Sequence, residues 1–191
     1  MADEIWLARH GATEWTVSKQ HTGSTDLPLI PDGEEDARDL GRRLAGIEFG
    51  TVMSSPLQRA RETARLAGFS DPRINELLRE VDYGDDEGVT TKEIQDERPQ
   101  WELFRDGSPG GETPEQIAGR MDQLLLDLAD EPKPVLLFGH GHCLRALATR
   151  YLGLDIWVAG VLALDAGSLS ILGEEHGHPA LRLWNETRST D

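Results

Sequence analysis

The chain has 191 residues, a formal net charge of −16 and 38% hydrophobic residues. That length and balance suit one globular domain over residues 1–191 and exclude a disordered chain. The acidic excess argues against nucleic acid and against an anionic membrane as partners, because both require a basic surface.

In chain order, Ile5 to Ala8 is a short apolar run ending at Arg9-His10-Gly11, and it reads as a buried strand. Pro31-Asp32-Gly33 starts a helix over Glu34 to Ala45, with Ala37, Leu40, Gly41 and Leu44 at helical spacing. Val52 to Ser54 reads as a second strand, and Leu57 to Ala67 as a helix with Pro56 near its start. Ile74 to Gly88 reads as a loop with short extended pieces. Thr113 caps a helix to Ala129 whose Ile117, Met121, Leu124, Leu125 and Leu128 share a face. Val135 to Phe138 is the strongest strand. Gly139-His140-Gly141 turns from it into a helix over His142 to Tyr151. Val161 to Leu164 and Ser168 to Leu172 read as two late strands joined by Asp165-Ala166-Gly167. The alternation predicts an α/β fold with a mostly parallel sheet, whose sites collect at the carboxyl ends of strands.

Two His-Gly steps, at His10 and His140, fall at such strand ends. Arg9 adds a permanent cation beside His10, and Thr13, Thr16 and Thr22 add hydroxyl donors. The helix start after His140 offers free N–H groups to an anion. Arg59 and Arg61 lie two apart, so they cannot share a helix face, and Arg59 is nearer the strand end. Composition alone does not choose among Glu80, Asp82, Asp85, Asp86 and Glu87. Asp85-Asp86-Glu87 reads as a solvated loop, and Cys143 as a core residue. Trp6 and Trp184 read as sheet-packing residues, and Trp101 and Phe104 as packing a short helix beside the site. The pairs His140/His142 and His176/His178 have His-x-His spacing, but no Cys or carboxylate completes a zinc site. A single cysteine forbids an intrachain disulfide, and Met-Ala-Asp-Glu-Ile-Trp is no signal peptide, so a cytoplasmic location is expected. No stretch reaches the roughly 18 apolar residues of a membrane-spanning helix.

Together, Arg9-His10-Gly11-Ala12-Thr13-Glu14-Trp15, His21 to Leu29, Ser54 to Ala64, Leu78 to Gly88 and Phe138-Gly139-His140-Gly141 resemble the histidine phosphatase superfamily in its phosphoglycerate mutase-like branch. Ala12 departs from the Glu or Gln of many members. The resemblance implies a three-layer α/β/α sandwich and no metal or cofactor. It implies His10 as nucleophile and Glu80 as proton donor, with Arg9, Arg59 and His140 holding the phosphoryl oxygens. Thr16, Thr22, Gly23, Tyr83, Gly141 and His142 are the expected substrate-binding set. The expected partner is a small phosphorylated metabolite, and the sequence is compatible with a homodimer. Glu80-Val81-Asp82-Tyr83-Gly84, Trp101 to Gly107 and His140-Gly141-His142 are similar to bacterial acid phosphatases and sedoheptulose-bisphosphatase-like enzymes. Mutases of this group carry a longer basic insertion after the acid segment. Here only Lys92, Arg98 and Arg105 are basic there, which favours a phosphatase over a mutase or a non-catalytic phospho-ligand binding module.

Overall fold

The structure is a computed structural model that describes residues 4–188. Its strands are β1 (Ile5–Arg9), β2 (Thr51–Ser54), β3 (Arg73–Ile74), β4 (Val135–Gly139), β5 (Leu169–Glu175) and β6 (His178–Glu186). They form one sheet in the order β3-β2-β4-β1-β5-β6. β1, β2, β3 and β4 pair in parallel, while β5 runs antiparallel to both β1 and β6. The helices are α1 (Glu14–Ser18), α2 (Pro31–Arg43), α3 (Gln58–Leu66), α4 (Thr91–Glu97), α5 (Leu103–Asp106), α6 (Pro114–Ala129) and α7 (Gly141–Tyr151).

Strand alternation sets the layers. Ile5, Leu7, Val135 and Leu137 point to one face and pack with Met121, Leu124, Leu144 and Leu147 of α6 and α7. Ala8, Leu136 and Phe138 point to the other and pack with Leu40 of α2 and Ala64 of α3. The mostly parallel α/β/α sandwich is therefore as expected. Local signals agree with it: Pro31 opens α2, and Thr113 with Gln116 closes a capping box on α6. Trp6 packs edge-on against Phe49 beside the second cluster.

The late strands need correction. Val161 to Leu164 is not a strand. Ile156–Val161 forms a 3-10 helix, and the stretch after it gives its carbonyls to side chains: Ala163 to Trp184 Nε1 and Leu164 to Arg9. The partner of β5 is β6 instead. His176 and Gly177 turn between them at φ 53° and 79°, the left-handed pair that a tight hairpin requires. Among the described residues no helix is long and apolar enough to cross a membrane.

Candidate active site

Register brings the site together. In the sheet Arg9 stands opposite Gly139, and Ser54 opposite Phe138. The next residues, His10, His140 and Ser55, therefore leave three adjacent parallel strands at one edge. The backbone continues the ladder there, with His10 N–H donating to Gly139 O and Ser55 N–H to Phe138 O, both at 3.0 Å. Gly11 allows the crossing of β1 over the start of α2. A Cβ at Gly11 would stand 2.0 Å from Gly33 O, so no other residue fits.

His10 is 5% exposed. Its Nδ1 lies 2.7 Å from Gly11 O. A carbonyl only accepts, so Nδ1 carries the hydrogen and Nε2 keeps its lone pair. Burial, then Arg59 and Arg9, hold the His10 pKa well below that of a free histidine. The ring is thus neutral at neutral pH, as a nucleophile must be.

Arg59 and His140 lie beside that ring. The two imidazole centroids are 5.1 Å apart. Arg59 Nε donates to His140 Nδ1 at 3.1 Å, which fixes the hydrogen of His140 on Nε2, 2.7 Å from Ser55 Oγ. The Arg59 guanidinium also donates to Thr25 O at 2.9 Å and to Thr22 O and Gly23 O, each at 3.0 Å. Both residues are fully buried and make the floor of the site, rather than its open wall. The backbone of the 22–25 loop and Ser55 take most of their donors. Arg61, by contrast, is exposed on the outer side of α3.

The open part is a cavity of about 390 Å³. Arg9, His10, Glu80, Tyr83, His142 and Arg145 line it, with Thr16, Thr22 and His21 around them. Arg9 donates to Leu164 O, and its buried Nε has no partner among the described residues. Glu80 is the carboxylate at the centre. Oε1 accepts from Val81 N at 2.9 Å and Cys143 N at 2.8 Å, and Oε2 from His142 N at 3.0 Å. The first turn of α7 therefore holds the Glu80 carboxylate in place. Asp82 is exposed and caps Gly84 N instead.

Of the expected substrate-binding set, Thr16, Thr22, Tyr83 and His142 line the cavity. Gly23 and Gly141 do not. Gly23 is buried, donates to both Glu87 oxygens and accepts from Arg59. Gly141 sits under the Arg9 guanidinium, where a Cβ would come within 3.2 Å of Arg9 Cζ. Tyr83 Oη lies 2.6 Å from His142 Nδ1, and burial keeps His142 neutral. The positive charge of the site thus comes from Arg9, Arg59 and Arg145, with Lys19 at the rim, because burial also lowers the pKa of His21 and His140.

The loop expected to be solvated is in fact structural. Asp86 is buried and ion-paired with Arg98, and Glu87 also accepts from Thr25 N at 2.9 Å. Cys143 is a core residue, its thiol pushed by burial up to about 12. His21 and Arg145 are cavity residues that sequence reasoning did not single out. Arg145 could have been found by its position three residues after His142 on one helix. Among the described residues no group of three or more His, Cys, Asp or Glu is arranged to hold a metal ion. His140 and His142 turn to different partners.

The histidine phosphatase superfamily (branch 1) model matches residues 5–187. The chain belongs to this family. An acid phosphatase of Mycobacterium tuberculosis is 35% identical over 177 residues, which is 91% of this chain and 87% of that protein. The Saccharomyces cerevisiae sedoheptulose 1,7-bisphosphatase is 34% identical, covering 78% of this chain and 68% of its own. A Salmonella choleraesuis protein named a probable phosphoglycerate mutase is 31% identical, covering 87% and 83%. A solved Mycobacterium tuberculosis structure superposes with a TM-score of 0.91 at 34% identity, over 96% of this chain and 97% of the other.

The different settings of the two arginines on α3 lead to different expected losses. Arg59→Ala frees three carbonyls and one imidazole of a charge-assisted donor, each such contact contributing about 1.5–3 kcal/mol. A loss of roughly ten- to hundredfold in kcat/KM is expected, with a lowered melting temperature. Arg61→Ala should stay within about 0.5 kcal/mol of the parent. Steady-state kinetics and thermal melts of the two variants check this. Equal kinetic losses would contradict the placement of Arg59.

Proposed function

We propose that this chain, acting as a single domain, is a metal-independent phosphatase of small phosphate monoesters, with a phosphohistidine formed at His10 Nε2. The observation that carries the reading is the tautomer of His10: Nδ1 is tied to Gly11 O, leaving the Nε2 lone pair at a cavity that also holds Arg9 and Glu80.

In the first step Nε2 attacks phosphorus in line, and the bond from phosphorus to the ester oxygen breaks. Arg9, whose side chain lines the cavity, draws the phosphoryl oxygens, while the fixed charge of Arg59 beside His10 opposes their negative charge. Glu80 delivers its proton to the departing alkoxide. In the second step the Glu80 carboxylate takes a proton from water, whose oxygen attacks the phosphohistidine. Phosphate leaves, and Glu80 is again protonated. His140 positions Arg59 and Ser55; Thr16, Thr22, Tyr83 and His142 surround the leaving group.

Hydrolysis is favoured over transfer to a second acceptor by the segment from Gly88 to Thr113. It folds into α4 and α5, and only Thr91 of it reaches the cavity. Its basic residues are spent elsewhere: Lys92 pairs with Asp96, Arg98 with Asp86 and Arg105 with Asp106. The acid phosphatase and bisphosphatase relatives support a sugar phosphate or a glycolytic-type phosphate as substrate. The lone cysteine, buried, is compatible with a cytoplasmic enzyme.

Turnover of p-nitrophenyl phosphate in excess chelator tests the reading. Activity should persist undiminished. The acid limb of kcat/KM, which reports protonation of His10, should lie below pH 6.5, because the His10 pKa is lowered and the nucleophilic form is lost only as pH falls through it. Loss of activity in chelator, or an acid limb above pH 6.5, would contradict the mechanism.

A further inference from the structure

The arginines of this chain divide sharply by their partners. With 35 acidic residues against 19 basic ones, a carboxylate is available almost everywhere. Most arginines take one within 4 Å, as Arg43 does with Asp39, Arg120 with Glu112 and Arg150 with Asp122. Among the described residues only Arg9, Arg59, Arg61 and Arg145 have no carboxylate at that distance. Arg61 faces solvent. Arg9 and Arg145 line one cavity, and Arg59 lies in its floor against His140. Removing an unpaired guanidinium from water is unfavourable unless something else supplies the counter-charge.

Arg9 and Arg59 flank His10 and account for one phosphoryl group. Arg145 is left over. It sits on α7 five residues beyond His140, about 7.5 Å further along the helix axis. Its Nε donates to Ala159 O at 2.8 Å and its Nη2 to Gly160 O at 3.0 Å. The guanidinium stacks over the Phe104 ring, 5.4 Å from its centroid. Three rigid contacts thus fix its plane, and Nη1 is bonded to nothing among the described residues. The same guanidinium lines the cavity that holds His10, Arg9 and Glu80. Lys19, also without a carboxylate partner among the described residues, stands at the rim of that cavity. The positive charge therefore extends beyond the phosphoryl end toward the space a leaving group fills.

We propose that Arg145 is a specificity-determining residue that binds a second anionic group, a carboxylate or a phosphate, carried on the leaving group of the substrate. The inference rests on the phosphatase reading above and adds its substrate class: phosphate esters with two separated anions. Recognition of the second anion sets which ester is chosen, and leaves the fate of the phosphoryl group to His10, Glu80 and water.

Two matched substrate pairs test it. 3-Phosphoglycerate against glycerol 3-phosphate isolates a carboxylate, and fructose 1,6-bisphosphate against fructose 1-phosphate isolates a phosphate. The wild-type enzyme should favour the doubly anionic member of at least one pair by about tenfold or more in kcat/KM, the effect of one charge-assisted contact. Arg145→Gln should reduce that preference about tenfold, and Arg145→Lys should restore part of it. A merely structural arginine would lower both members of a pair alike, and that result overturns the proposal. So does a wild-type ratio near one in both pairs, which needs no variant to fold. The two levels separate cleanly: turnover without anion preference removes this inference alone, whereas no turnover of any ester, p-nitrophenyl phosphate included, removes the phosphatase reading with it.

Discussion

His10→Ala is expected to lower kcat on p-nitrophenyl phosphate by about 10⁴-fold or more, the scale seen when a covalent nucleophile is removed. The loss should fall on kcat rather than KM. Arg9 still faces the cavity in the variant, and Arg59 stays anchored to the 22–25 loop and to His140. Neither anchor passes through His10. The ring itself makes one hydrogen bond, to the adjacent Gly11 carbonyl, so the fold should survive. Steady-state kinetics with a thermal melt of the same preparation separate chemistry from folding. Retention of more than a few per cent of the parent kcat would show that another group attacks phosphorus.

Glu80→Gln is the second large effect, and its size should depend on the leaving group. An alkoxide needs a proton to depart, so alkyl phosphates should lose about 10²–10⁴-fold in kcat, the usual contribution of a general acid. p-Nitrophenolate leaves without a proton, and its ester should lose less than about tenfold in the first step. The substitution is not fully isosteric here. The carboxylate accepts three N–H groups, from Val81, His142 and Cys143. A glutamine offers an NH₂ to one of them, leaving that donor unpaired at a cost of about 1–3 kcal/mol. A lower melting temperature should therefore accompany the kinetic defect. Asp82→Asn is the matched control. Asp82 is exposed and its carboxylate accepts from Gly84 N, away from the cavity, so both substrate types should be hydrolysed nearly as before. A selective alkyl defect in Asp82→Asn, absent from Glu80→Gln, would transfer the acid role to Asp82.

The central strands were legible because their burial is simple. β4 is buried along its whole length, and an uninterrupted apolar run is what such a strand looks like in sequence. α6 declares its start by Thr113. The end of the chain was harder. Val161 to Leu164 has the composition of a strand, but the antiparallel place beside β1 goes to β5, and the carbonyls of Ala163 and Leu164 serve side chains. β6 is an edge strand with an exposed start at His178 and a weak apolar alternation, so it leaves little trace in the sequence.

The site shows the same division. His10 and His140 follow directly from strand ends, and the parallel register that joins those ends brings them together. The carboxylate could not be chosen by spacing, because what distinguishes Glu80 is a contact with backbone N–H groups 62 and 63 positions away. Arg59 was found, but not its burial, since nothing in a sequence tells which carbonyls a guanidinium will meet. Arg145 escaped notice because one arginine on an amphipathic helix normally faces water. Only the missing carboxylate partner marks it out.

The most direct measurement is a rapid acid quench of the wild-type enzyme during turnover of ³²P-labelled p-nitrophenyl phosphate, followed by peptide mapping. Mixing must be faster than dephosphorylation, and Glu80→Gln, in which activation of water is impaired, should accumulate more label. The expected result is protein-bound phosphate that is labile in acid, stable in base and confined to the peptide containing His10. Label on another residue, or hydrolysis in a single turnover with no phosphoprotein in either enzyme, would contradict a phosphohistidine at His10.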